Sequence, residues 1–267
     1  MTYSAKPVSI LQISDLHVLP HSTDKLLGVA TEHYFKLALQ QAFDQYRQFD
    51  LILVSGDLAQ DPCLASYQRI RDTLSSYQTK TVCLSGNHDD WPLMQKVLNT
   101  GLISCERQVL FDDWQLINLN SQKLTDPGGL LLQPELDFLV KCLESEPDRF
   151  SIIAVHHHCT LSNSVWLDTM VISNSHEFFQ CLKPYPRVKV ITTGHIHQLL
   201  ETQEQGIIIL GVPSTCFQFK PNCRDFTLDT IAPGYRVLRL YPDGQIETEI
   251  HRLPVALSEL HTDSEGY

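Results

Sequence analysis

The chain has 267 residues, 43% of them hydrophobic, and a formal net charge of −11. That length and apolar content allow one large domain with a sizeable core. The acidic balance argues against a basic nucleic-acid footprint, and no apolar stretch approaches the ~20 residues a membrane helix needs.

Residues 8–13, Val-Ser-Ile-Leu-Gln-Ile, predict a strand that ends in Ser14-Asp15-Leu16-His17. Asp15 and His17 are two apart, so an extended backbone would put both on one side. Residues 32–49 predict an amphipathic helix, with Phe35, Leu39, Ala42, Phe43 and Tyr46 at 3–4 spacing. The apolar run 51–54 reads as a fully buried strand and ends in Ser55-Gly56-Asp57. Residues 64–77 read as a helix announced by Asp61-Pro62. The strand 81–84 leads into Ser85-Gly86-Asn87-His88-Asp89-Asp90, after which Pro92 suits the first turn of a short helix.

Residues 107–111 and 115–119 predict a strand pair, and 133–143 a helix opened by Pro134. The strand 151–155 ends in His156-His157-His158, and 175–182 is helical. A buried strand 188–191 then runs into Thr192-Thr193-Gly194-His195-Ile196-His197, where Gly194 would let the backbone turn sharply and approach bound ions closely. Strands dominate afterwards, at 199–204, 206–210, 235–241 and 245–252, the last two joined by the turn signal Pro242-Asp243-Gly244. The tail from Ser258 is polar and is expected to fray.

Alternating strands and helices imply βαβ units, whose ligands gather at the carboxyl ends of parallel strands. Asp15, His17, Asp57, Asn87, His156, His195 and His197 all follow such strands. They offer oxygen and imidazole donors without a thiolate, which suits iron or manganese, with zinc or cobalt as alternatives. The set is too large for one tetrahedral ion. It suits two ions sharing a carboxylate, roughly 3.5–4 Å apart, a clamp for in-line attack at phosphorus. Metal ions would also give an acidic protein its local positive charge for phosphate.

The ordered set Asp-x-His, Gly-Asp, Gly-Asn-His-Asp, His and Gly-His-x-His resembles the calcineurin-like metallophosphoesterases. A closer likeness is to the bacterial class III 3′,5′-cyclic-AMP phosphodiesterases. It rests on Leu27-Gly28-Val29, on Gly56-Asp57-Leu58-Ala59-Gln60-Asp61, on His156-His157-His158, and on the stretches 213–221 and 226–234. The resemblance implies an α/β fold: a four-layer α/β/β/α sandwich of two mixed sheets flanked by helices, one domain over 1–267. It implies that Asp15, His17 and His197 hold a first metal, that Asn87, His156 and His195 hold a second, and that Asp57 bridges them. His88 would face the phosphate and serve as general acid, or only stabilise phosphate charge. His17, Asp57, Asn87, His88 and His197 would form the substrate site.

The function so implied is hydrolysis of 3′,5′-cyclic AMP to 5′-AMP by a hydroxide shared between two metals, a nucleophile available at neutral pH. A broader hydrolase of phosphodiesters or nucleotide pyrophosphates, and a non-catalytic metal-binding scaffold, are the alternatives. Two departures stand out. Many relatives have His-His-Pro-Pro where this chain has His156-His157-His158-Cys159, and Gln60 stands where an Asp commonly orients the catalytic His. His21, His33, His176, His251 and His261 are assigned nothing. Asp89 and Asp90 could cap the following helix as easily as touch the site. The stretch 217–220 is either packing or a substrate wall, Lys220 and Arg224 could neutralise phosphate but read first as a solvated loop, and Cys216 and Cys223 read as free thiols. The eight Cys form no Cys-x-x-Cys pair, and Met1 to Pro7 lack the apolar core of a leader. Both points suggest reduced thiols in a cytoplasmic protein. The expected partner is a small cyclic nucleotide, with neither nucleic acid nor membrane.

Overall fold

The structure, a computed structural model, describes residues 6–266. Residues 1–5, most of the segment read as lacking a leader core, lie outside the described residues. In chain order the first half holds β1 (Val8–Ile13), α1 (Thr31–Tyr46), β2 (Leu51–Ser55), α2 (Leu64–Ser75), β3 (Thr81–Leu84), α3 (Trp91–Leu98), β4 (Ile103–Ser104), β5 (Gln108–Leu110) and β6 (Trp114–Leu119). There follow α4 (Gln133–Ser145), β7 (Phe150–Val155), α5 (Val165–Asp168), α6 (Ser175–Leu182), β8 (Val188–Thr193), β9 (Leu200–Glu204) and β10 (Ile207–Gly211). The short strands β11 (Gln218–Phe219) and β12 (Leu228–Asp229) precede the hairpin β13 (Gly234–Leu240) and β14 (Ile246–Arg252).

Two 6-stranded sheets form, ordered β14-β13-β1-β2-β3-β4 and β5-β6-β7-β8-β10-β9. The strands β1, β2 and β3 run parallel, with β13 antiparallel to β1. In the other sheet β6, β7, β8 and β10 run parallel. Alternate side chains on a strand face opposite sides. Ile10, Leu53, Val82, Ile152, Ala154 and Val190 therefore share the core between the sheets. Their neighbours Leu11, Ile13, Ile52 and Val54 pack outward with Phe35, Leu39 and Tyr67 of the helices. On the far side Ile153, Val155 and Ile191 meet Leu139 and Phe178. Each sheet is thus buried on both faces, and the four-layer sandwich expected from the motifs is the fold.

Local boundaries follow from local chemistry. The helix α1 stops at Tyr46 and not at Phe49, because Arg47 takes a positive φ of 59° and donates its N–H to Phe43 O at 2.9 Å. Asp90 caps α3 by accepting from Leu93 N at 3.0 Å, with Pro92 in the first turn as expected. The tail also differs from expectation. Leu257 and Leu260 pack in one cluster with Val29 and Phe217, and His261 N donates to Leu27 O at 3.0 Å. No helix among the described residues is long and apolar enough to cross a membrane.

Candidate metal centre

The loops after β1, β2, β7 and β8 are laced together by their backbones. Asp15 N donates to Gly56 O, His17 N to Asp57 O and Gly194 N to His156 O, each at 3.0 Å. Behind them Gln12 bridges the two sheets, donating to Ser55 Oγ at 3.0 Å and accepting from Thr192 Oγ1 at 2.6 Å.

The candidate ligands converge for a different reason from the extended backbone the spacing suggested. Asp15, His17, Asp57, His195 and His197 have φ values of 54°, 45°, 48°, 65° and 44°. These are left-handed turns, costly for residues with a Cβ and concentrated at functional sites. Gly194 is required for approach and not for a turn. A Cβ there would run into Ser14 Oγ and lie 2.9 Å from both Asp15 Oδ2 and Ser55 O.

The donor atoms gather around Asp57. Its Oδ2 lies 3.2 Å from His156 Nε2 and 3.8 Å from His17 Nε2. His17 Nε2 is 3.2 Å from His197 Nε2, which is 3.4 Å from Asp15 Oδ1. Each of these imidazoles is held by its other nitrogen. His17 Nδ1 donates to Gln60 Oε1 at 2.7 Å, His156 Nδ1 to Ser55 O at 2.9 Å, and His197 Nδ1 to Phe217 O at 2.9 Å. Such tethers fix the tautomer that leaves Nε2 as a lone-pair donor. The loop after β3 joins through His88 N, which donates to Asp57 Oδ1 at 2.9 Å. The half-buried His88 ring also brings a nitrogen within 4.8 Å of donor atoms of His17 and Asp57.

The three consecutive histidines separate cleanly. His156 faces Asp57. His157 is tied off at both nitrogens, to Ser121 Oγ at 2.7 Å and Pro127 O at 3.0 Å. His158 Nε2 lies 3.5 Å from Asp168 Oδ1. Three features take roles that the sequence reading did not settle. Gln60, marked there as a departure, serves His17. Asp89 is no helix cap but a clamp between two site loops, accepting from Leu58 N, Ala59 N, Gly86 N and Tyr67 Oη at 2.9–3.2 Å. The Cys216 sulfur, within 4.8 Å of donor nitrogens of His17 and His197, sets a thiol beside a donor set read as free of sulfur.

The residues fit metal ions. Asn87 Oδ1, His156 Nε2 and His195 Nε2 are shielded from solvent and have no hydrogen-bond partner among the described residues, a condition that buried polar atoms rarely tolerate. The charges agree. Burial works to raise Asp57, yet His156 and then His88 pull it well below the usual carboxylate range. Burial opposes charge on His197 too, but Asp15 outweighs it and lifts the imidazole to about 10. Burial and then His157 push His195 well down, which keeps it a neutral donor. Cations bound at these nitrogens would displace such protons.

The chain matches the calcineurin-like phosphoesterase family over residues 8–199. It is 40% identical over 261 residues to the 3′,5′-cyclic adenosine monophosphate phosphodiesterase of Escherichia coli, spanning 97% of this chain and 95% of that protein. It is 38% identical over 252 residues to a 3′,5′-cyclic-nucleotide phosphodiesterase of a Nostoc species, spanning 94% of each. A dimetal phosphatase from Danio rerio shares the fold, with a TM-score of 0.60 at 12% identity over 92% of this chain and 99% of that one.

Proposed function

Since the chain belongs to the calcineurin-like phosphoesterases, we propose that it is a dinuclear-metal phosphodiesterase, a single domain that hydrolyses 3′,5′-cyclic AMP to 5′-AMP. The observation that carries the metal part is the set of shielded donors without a hydrogen-bond partner among the described residues at Asn87, His156 and His195, the two imidazoles lying beside the Asp57 carboxylate. The substrate part is supported by the activity named for the Escherichia coli relative.

In this reading Asp15, His17 and His197 would hold one ion, Asn87, His156 and His195 would hold the other, and Asp57 would serve both. The ions, iron or manganese, would supply positive charge for the phosphoryl oxygens and lower the pKa of water. The chain's residues do the rest. The tethers at Gln60, Ser55 and Phe217 keep the imidazoles aimed before substrate arrives. His17, Asp57, Asn87, His88 and His197 surround the phosphate. Hydrolysis places a water oxygen on phosphorus and releases the 3′ oxygen, which takes a proton from His88. The product then carries phosphate on the 5′ oxygen alone. The test is metal analysis of purified protein alongside turnover of cyclic AMP, cyclic GMP and linear diesters. Metal-dependent release of 5′-AMP supports the reading; fast cleavage of a linear diester with negligible cyclic-AMP turnover overturns the substrate.

A further inference from the structure

A cavity of about 500 Å³ opens beside Asn87, His88 and His195, within the size range of small-molecule sites. One wall is aromatic. Trp166 meets Phe219 at 4.9 Å and Phe226 at 5.1 Å, while Phe219 and Phe226 lie 5.5 Å apart, all edge to face. Phe219 also stacks on His197, with ring centroids 4.3 Å apart and planes within 20°. The wall is thereby fixed against a candidate metal ligand, at a set distance from where a phosphate would lie.

Other features mark this wall as more than core packing. Phe217 and Phe219 are both covered, but Trp166 and Phe226 are only half-buried and line the cavity. The Trp166 indole N–H has no hydrogen-bond partner among the described residues. The short helix α5, which carries Trp166, is docked onto the loop before Phe226, with Val165 N donating to Cys223 O at 2.9 Å. The chain end completes the enclosure. Glu265 and Gly266 line the same cavity, and Leu257 and Leu260 belong to the cluster that contains the three aromatics.

We propose that Trp166, Phe219 and Phe226 form the subsite that holds the base of a nucleotide while its phosphate lies at Asn87 and His88. The assignment rests on the nucleotide reading above. Every base has a π-face, and stacking on aromatic side chains is worth about 1–3 kcal/mol per base, or roughly 5- to 150-fold in affinity. The metal donors themselves select nothing beyond phosphate, so this wall is what turns a diesterase site into a nucleotide site.

The test compares two inhibitors of one reaction, hydrolysis of bis(p-nitrophenyl) phosphate by the metal-loaded full chain. Adenosine 5′-monophosphate uses both the metals and the wall, whereas inorganic phosphate uses only the metals. In Trp166→Leu and Phe226→Leu, the inhibition constant for the nucleotide should rise at least about 5-fold. That for phosphate, and the metal content, should stay at wild-type values. Trp166→Phe keeps a ring and should fall between. An unchanged ratio of the two constants in both Leu variants overturns the subsite, as does a wild type that binds the nucleotide no more tightly than phosphate. Because the reporter is not cyclic AMP, failure of that substrate assignment would be read separately, from absent cyclic-AMP turnover with the nucleotide-to-phosphate ratio intact.

Discussion

The tightest constraint on the candidate centre sits at Gly86. A Cβ at this position would fall inside contact distance of Asp57 Oδ1 and Asp57 N and 2.7 Å from Asp57 Cγ. Ordinary carbon contacts begin at about 3.5 Å, so in Gly86→Ala the Asp57 carboxylate must move by the better part of an ångström or the loop after β3 must back away. The first displaces the carboxylate proposed to be shared by both ions. The second pulls the His88 N–H off Asp57 Oδ1, to which it now donates at 2.9 Å, and shifts the adjoining Asn87 with it. Overpacking of this kind costs about 1–3 kcal/mol, which lowers the melting temperature by about 2–12 °C for a chain of this size. A misplacement near 1 Å at the reacting centre costs about 100-fold in rate. The control is Gly101→Ala, where a Cβ meets nothing within 4 Å and only the positive φ of 59° is strained. That variant should lose about 1–2 kcal/mol of stability and keep full turnover and metal. The assay is thermal denaturation, metal content and cyclic-AMP turnover on the same preparations. If Gly86→Ala kept wild-type metal content and rate while Gly101→Ala did not, the placement of Asp57 at the centre of the site would be refuted.

Asp57→Ala should lose both metals and all measurable turnover; retention of two ions per chain would remove Asp57 as the bridge. His88→Ala should keep its metals and lose ~10²–10⁴-fold in rate, whereas metal loss would recast it as a ligand. Metal-stripped wild type should be inactive with unchanged far-ultraviolet circular dichroism, and a collapse of the spectrum would show that the loops are not set in advance. Leu139→Ala, in the core between α4 and the second sheet, should cost about 2–5 kcal/mol and leave kcat/KM within about 2-fold, since one buried leucine far from the donors moves none of them.

The fold was legible because its strands are short apolar runs ending in polar loops, and both sheets bury both faces. The candidate site was legible because metal-competent side chains recur at those strand ends, which the fold brings together. What the sequence hid depends on partners far along the chain. Nothing local tells that Gln60 accepts from His17, 43 residues away, or that Asp89 gathers donors from the β2 loop. The run of three histidines was ambiguous until Ser121 and Pro127 claimed His157 and Asp168 faced His158. Trp166 carries no signal of its own, because its place beside Phe219 is set by how the loop after His158 docks on the loop before Phe226.

The left-handed backbone at the ligands has a consequence for how the centre works. Asp15, His17, Asp57, His195 and His197 each sit in a region that costs of order 1–3 kcal/mol. Strain of that size, in a molecule whose whole stability is about 5–15 kcal/mol, persists only where the surroundings over-determine it. Here they do, through the backbone bonds between the β1 and β2 loops, the Gln12 bridge between the sheets, and the imidazole tethers. These contacts join protein groups to one another, so the donors should stay gathered in metal-stripped protein, and binding energy that would otherwise order five loops would remain available for holding cations and phosphate.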